Sequence, residues 1–178
     1  MLRILSILVA LLLFSCSSGL VQKRDGLWYD KNGIFTGSIV SHYDNGKIEC
    51  GRSYYRGKPV GKWHYWHDNG QMKSEISYWN GVKNGPFVQW YDNGQIEVEG
   101  NNNGSLDGKI IFYYRNGQVK QEGTYLNGQP DGKWCTWHEN ENLKVEGVFE
   151  NGERVGWWSV YFDNGTLYDM YYYGNQAP

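Results

Sequence analysis

The chain has 178 residues, 24 of them glycine and only 4 proline, with 17% aromatic residues and a formal net charge of -2. So near-neutral a chain has no basic field to collect nucleic acid or anionic lipid head groups, which excludes both as electrostatic partners. So many aromatic residues also exclude a disordered linker, and the glycines read as punctuation between short strands.

In chain order, the first element is one basic residue, Arg3, followed by an apolar run over residues 4–14. As a helix that run would extend about 16 Å, against the roughly 30 Å of a bilayer core, so it reads as the apolar part of a signal peptide and not as a membrane span. Leu13-Phe14-Ser15-Cys16 resembles the lipobox of bacterial lipoproteins. The resemblance implies cleavage before Cys16 and lipidation of its sulfur. The expected organisation is a signal peptide over 1–15, a lipidated Cys16 with a short linker over 16–25, and one domain over 26–178. Removal of Arg3 leaves 16 basic against 19 acidic residues, so membrane attachment would rest on the lipid alone. Ser17 after the cysteine, by lipoprotein sorting rules, favours the outer membrane of the cell envelope.

The rest of the chain is governed by a period. Asn-Gly pairs recur at Asn45-Gly46, Asn69-Gly70, Asn93-Gly94, Asn116-Gly117 and Asn164-Gly165, with Asn140-Glu141 filling the one gap. Two further glycine columns run in register: Gly33, Gly57, Gly81, Gly104, Gly128, Gly152, and Gly37, Gly61, Gly85, Gly108, Gly132, Gly156. Each unit of about 24 residues is a strand, an Asn-Gly turn and a returning strand, the strongest short-range hairpin signal. A type I′ turn is expected at the Asn-Gly pairs, since both residues accept positive φ. A second turn, near Asn80-Gly81, leads into the next unit. About twelve short strands result, preceded by a truncated half unit from Leu27 to Phe35.

The columns predict the packing. Ile39, Trp63, Phe87, Ile110, Trp134 and Trp158 stand two residues after the starting glycine, with Tyr43, His67, Tyr91, Tyr114, His138 and Phe162 four further on. Ile48, Met72, Ile96, Val119, Leu143 and Leu167 begin the returning strands and are expected to join the same core. Each aromatic residue buries about 150–250 Å², so units should stack as a nearest-neighbour array.

Units such as Gly61-Lys62-Trp63 through Asp68-Asn69-Gly70-Gln71 to Lys73 and Glu75 resemble the MORN repeat, specifically the bacterial variant named after YwqK-type antitoxins. The resemblance spans about residues 26–174. It implies an all-β fold: an elongated single-layer antiparallel β-meander built from about six 24-residue β-hairpin repeats. It also implies an interaction platform, some members of which neutralise a toxin. Two departures are expected to be local irregularities: Glu141 in place of glycine, and Asn101-Asn102-Asn103 in a third unit one residue short. Residues 101–105 are expected as an exposed loop.

Catalytic and metal chemistry find little support. His64 and His67, three apart in a strand, face opposite ways, and His67 and His138 lie roughly 29 Å apart by strand spacing, so no zinc site is expected. Cys50 and Cys135, roughly 34 Å apart, cannot bridge each other, and both are expected to keep their thiols. Glu75, Glu99, Glu122 and Glu146 recur at one position, about 10 Å apart, wider than a glycosidase pair. They read as structural, with Lys73, Lys120 and Lys144 or turn amides as partners. No cofactor and no enzymatic activity are expected.

One column is left over. His42, Trp66, Trp90, Tyr113, Trp137 and Tyr161 lie five residues after the starting glycine, on the face opposite Trp63. Trp66, Trp90, Tyr113, Trp137 and Tyr161 form either a second packing layer or a binding stripe. Used as a stripe, it suits a platform for another protein, possible as an envelope immunity factor. Its alternative use is stacking on cell-wall glycan such as peptidoglycan, and a passive spacer would use it for neither. Exposed end strands would permit an edge-to-edge homodimer.

Overall fold

A computed structural model describes residues 19–174. The expected signal peptide, with Cys16 and Ser17, lies outside the described residues. The sequence pattern gives an all-β chain in which strand order follows chain order. Three short strands, β1 (Val21–Gln22), β2 (Trp28–Asp30) and β3 (Gly33–Ile34), form a small antiparallel sheet. The main sheet begins with β4 (Gly37–His42), β5 (Ile48–Tyr55), β6 (Lys58–Trp66), β7 (Met72–Trp79), β8 (Val82–Trp90) and β9 (Ile96–Asn103). The short β10 (Ser105–Leu106) pairs back on β9. It continues with β11 (Gly108–Tyr113), β12 (Val119–Leu126), β13 (Gln129–Trp137), β14 (Leu143–Glu150), β15 (Glu153–Tyr161) and β16 (Leu167–Tyr173). Within the main sheet, β4 to β9 and β11 to β16 each pair antiparallel with their sequence neighbours and β9 meets β11 directly, so this sheet is a single-layer meander.

The Asn-Gly turns of the hairpins are not the expected type I′. At the Asp-Asn-Gly turns only the glycine has positive φ, as at Gly46 (83°) and Gly70 (92°). His67 N–H donates to Gln71 O (2.8 Å) and Gly70 N–H to His67 O (2.8 Å), enclosing three loop residues. This is a type I turn followed by a glycine bulge, not type I′. The reason lies in the asparagine side chain: Asn69 Oδ1 accepts from Gln71 N–H at 2.9 Å, which holds Asn69 on the ordinary side of φ. Type I′ geometry occurs instead at the second turns, where Asn80-Gly81, Asn127-Gly128 and Asn151-Gly152 have both residues at positive φ. Glu141 does not disrupt its turn. It takes φ 67° and donates its N–H to His138 O at 3.0 Å, as glycine does elsewhere.

Three ladders of hydrogen bonds tie each unit to the next. Asn45, Asn69, Asn93 and Asn140 donate Nδ2–H to the carbonyls of Asp68, Asp92, Arg115 and Asp163. Tyr43, Tyr91 and Tyr114 donate their hydroxyls to Trp66 O, Tyr113 O and Trp137 O, while His67 and His138 reach Trp90 O and Tyr161 O through Nε2. A carbonyl only accepts, so both imidazoles carry their proton on Nε2 and replace tyrosine in the same role. At the opposite edge, the glycine N–H of each second turn donates to the unit before it: Gly81 to Pro59 O, Gly128 to Leu106 O and Gly152 to Pro130 O. Gly57 N–H donates to Phe35 O in the same way, so the β2–β3 hairpin occupies the place of the expected half unit.

The core lies on one face. Trp63, Phe87, Ile110, Trp134 and Trp158 are buried there. A second column, Tyr54, Tyr78, Tyr125, Phe149 and Tyr173, interleaves with them, each member directly across from a unit glycine: Gly37, Gly61, Gly108, Gly132 and Gly156. Between the strands Trp134 lies on Gly123 and Trp158 on Gly147, so close that a Cβ on either glycine would strike the indole. The indole N–H groups of Trp63, Trp134 and Trp158 donate to Ser53 O, Thr124 O and Val148 O at 3.0, 3.2 and 3.2 Å. These flat contacts let a single sheet bury indoles without a second layer.

Residues 101–105 are not an exposed loop. Asn101, Asn102 and Asn103 continue β9, Gly104 alone makes the turn, and Asn102 is buried. The missing residue is taken from the turn because β9 pairs with β8 through Asn84↔Asn103, and that ladder outweighs the polar composition of the segment.

Candidate surface on the outer face

The hairpin bulge positions the leftover aromatic column. In all six hairpins the register shifts immediately before it: at His42, Trp66, Trp90, Tyr113, Trp137 and Tyr161. A bulge re-aims the side chain it carries. Trp66, Trp90, Tyr113, Trp137 and Tyr161 also supply the carbonyls that the tyrosine and histidine ladder grips, so backbone and side chain are fixed together.

Directly across from them stand Ile48, Met72, Ile96, Val119, Leu143 and Leu167. Opposed residues of an antiparallel pair share a face. These aliphatic residues therefore belong to the outer face with the aromatic column, not to the Trp63 core as expected; the extra bulge residue changes the parity between turn and strand. The result is a band of aromatic–aliphatic pairs running across the sheet near the Asp-Asn-Gly edge. Trp66, Trp90, Tyr113, Trp137 and Tyr161 are all half-buried, as are Met72, Ile96, Val119 and Leu143. Trp66 lies 3.7 Å from where a Cβ on Gly51 would stand, and its ring is 5.9 Å from that of His64. The band is thus packed on its own sheet while leaving part of each ring in solvent.

Carboxylates border it. Glu75 pairs with Lys62 (2.7 Å) and His64 (3.1 Å), Glu122 with Lys109 (2.9 Å) and Glu146 with Lys133 (2.9 Å). The lysines stand diagonally across on the neighbouring strand, in place of the Lys73, Lys120 and Lys144 expected from two residues along the glutamates' own strands. Lys62 and then His64 hold the Glu75 carboxyl below the usual range, and Lys133 and then Tyr161 do the same for Glu146. Tyr113 donates to Glu99 at 2.6 Å and Tyr161 to Glu146 at 3.1 Å. Burial, then the Glu99 carboxylate, pushes the Tyr113 phenol up to about 12, so it stays a neutral donor. The glutamates are therefore engaged in fixing rings and lysines.

Among the described residues no cluster of histidine, cysteine, aspartate or glutamate could hold a metal ion. Cys135 is a free thiol on this face, its pKa raised chiefly by burial. Cys50 is disulfide-bonded, which corrects the expectation of a thiol there; the topology that keeps it seven strands from Cys135 is as expected.

Comparison with known proteins fits this geometry. A family described as MORN repeat variant matches residues 59–80, 83–101, 106–127 and 130–151. Each match begins beside a second-turn glycine, so the family unit and the structural hairpin coincide in period. No curated protein matches. Among solved structures, one chain in the crystal structure of accessory secretory protein 1, 2 and 3 in Streptococcus pneumoniae is 17% identical with a TM-score of 0.34. It covers 61% of this chain, which spans only 20% of that one. Likeness at that level carries no argument. Between residues 59 and 151, then, the chain matches the MORN repeat variant four times, within a continuous β-meander.

Proposed function

We propose that the protein is a non-enzymatic binding platform for another protein, held on the cell envelope by a lipid at Cys16. The observation that carries this reading is the outer-face band. It repeats one aromatic–aliphatic pair per unit, is half-exposed throughout, and is held at fixed spacing by bulges and ladders. A rigid, pre-set row of aromatic residues with a polar border suits protein recognition, where such rings are enriched and cost little ordering on binding. Repetition along the sheet suits an extended partner surface more than a small substrate. In an exported protein the finer role is immunity-like, against a toxin acting outside the cytoplasm.

The test is affinity capture from intact cells with tagged wild type and with the triple variant Trp66→Ala, Trp90→Ala, Trp137→Ala, both checked for cooperative melting. The proposal expects one dominant protein that the folded variant fails to retain. Sedimentation of the wild type with purified cell wall, lost in the variant, would replace protein binding by glycan stacking. Equal capture by both proteins would remove the band from consideration.

A further inference from the structure

The opposite, core face carries a second site, created where the repeat breaks. Ring packing is continuous at both ends of the array. Tyr54, Trp63 and Tyr78 follow one another at 5.0 and 4.5 Å, and Tyr125, Trp134, Phe149, Trp158 and Tyr173 at 5.4, 5.7, 4.9 and 6.2 Å. Between the two runs stand Phe87, Asn102 and Ile110, which join neither run through a ring contact. Asn102 pairs across from Gly85, in the register where the other units place a tyrosine or phenylalanine across from glycine. One ring is therefore missing from the stack.

A cavity of about 390 Å³ occupies that gap, with Ile76, Phe87, Leu106 and Tyr125 among its walls and Lys83, Gln89, Asn102 and Ser105 as its polar side chains. The volume lies within the roughly 300–1,000 Å³ of small-ligand sites, and apolar walls with few polar groups are their usual makeup. Asn102 is only 9% exposed, yet its amide makes no side-chain hydrogen bond among the described residues. Lys83 is half-buried and forms no ion pair among them, and burial lowers its pKa. A buried amide and a desolvated ammonium beside an unfilled apolar gap are costly together unless something accepts from both.

We propose that this cavity binds a small carboxylate carrying one apolar ring. The ring takes the missing place in the stack against Phe87 and Tyr125, and the carboxylate accepts from Lys83 Nζ and Asn102 Nδ2. A carboxylate satisfies both donors at once, whereas a neutral polar group leaves the ammonium uncompensated.

Titration calorimetry on the mature protein with 3-phenylpropionate and indole-3-acetate, each beside its neutral primary amide, tests this. At least one acid should bind, with its amide tenfold or more weaker, and Lys83→Met should weaken the acid to a similar degree. Asn102→Tyr restores the ring, so it should abolish binding and raise Tm, which distinguishes a filled cavity from a misfolded protein. Absence of binding by both acids, equal binding of acid and amide, or undiminished binding in Asn102→Tyr would each overturn the proposal.

Discussion

Replacing Gly147 by alanine probes how a single sheet buries its indoles. Gly147 has an ordinary strand φ, so alanine brings no backbone strain, only a methyl group. That methyl would stand well under 3.0 Å from Cδ2, Cε2 and Cγ of Trp158. The indole cannot easily move. It is 4% exposed, lies between Phe149 at 4.9 Å and Tyr173 at 6.2 Å, has the Arg154 guanidinium 4.0 Å above it, and donates to Val148 O. Overpacking of this kind costs about 1–3 kcal/mol, and loss of the indole hydrogen bond adds about 1 kcal/mol. For a domain of this size about 2–4 kcal/mol corresponds to roughly 5–15 °C in Tm. Gly100→Ala, whose methyl would meet Phe87 at 2.9 Å, should cost less, and Gly51→Ala, with its nearest ring atom at 3.7 Å, least. Urea unfolding followed by tryptophan fluorescence reads the series. Trp158→Leu combined with Gly147→Ala should cost less than the sum of the two, because the smaller side chain removes the ring atoms that the methyl would strike. If Gly147→Ala unfolds at the same urea concentration as Gly51→Ala, the indole does not rest on that glycine and the packing account fails.

Further outcomes follow from the turns and the termini. Asn69→Ala removes a bond within its own turn and one to Asp92 O, so it should cost about 2 kcal/mol at about 1 kcal/mol per bond; an unchanged urea midpoint would contradict this. Glu141→Gly should raise stability by about 0.5–1 kcal/mol, since φ 67° strains glutamate and suits glycine; a fall in Tm would contradict this. The proposed lipidation would turn the Cys16 thiol into a thioether and add the mass of the lipid. Intact-mass analysis showing an acylated Cys16 supports the anchor, and a chain that carries no acyl mass refutes it.

Much of this architecture was legible in the residues, and the rest was lost for identifiable reasons. Three glycine columns in register mark two turns per unit, and hairpin turns leave little freedom in strand order. The type of turn was misread because Asn-Gly alone does not say how many residues the loop holds; the aspartate before it and the Asx bond that follows make the loop three residues long. That one extra residue moved Ile48, Met72 and their counterparts to the other face, and with them half of the outer band. A fourth column, Gly100, Gly123 and Gly147, stands in the sequence too, but its meaning depends on which indole lies over it. Lysine partners of the glutamates were sought along the strand, whereas the pairing runs across it. Asn102 reads as a loop residue by composition, and only its position opposite Gly85 reveals it as an absent ring.

The central claim is that the outer band is the binding surface. The most direct measurement places a photo-crosslinking residue at Leu143, beside Trp137 in the band, or at Leu126, exposed at the opposite turn edge, in the anchored protein in living cells. The account predicts one crosslinked protein at Leu143, absent at Leu126 and lost when Trp137→Ala is added. The same species at both positions, or crosslinks at Leu126 alone, would contradict it.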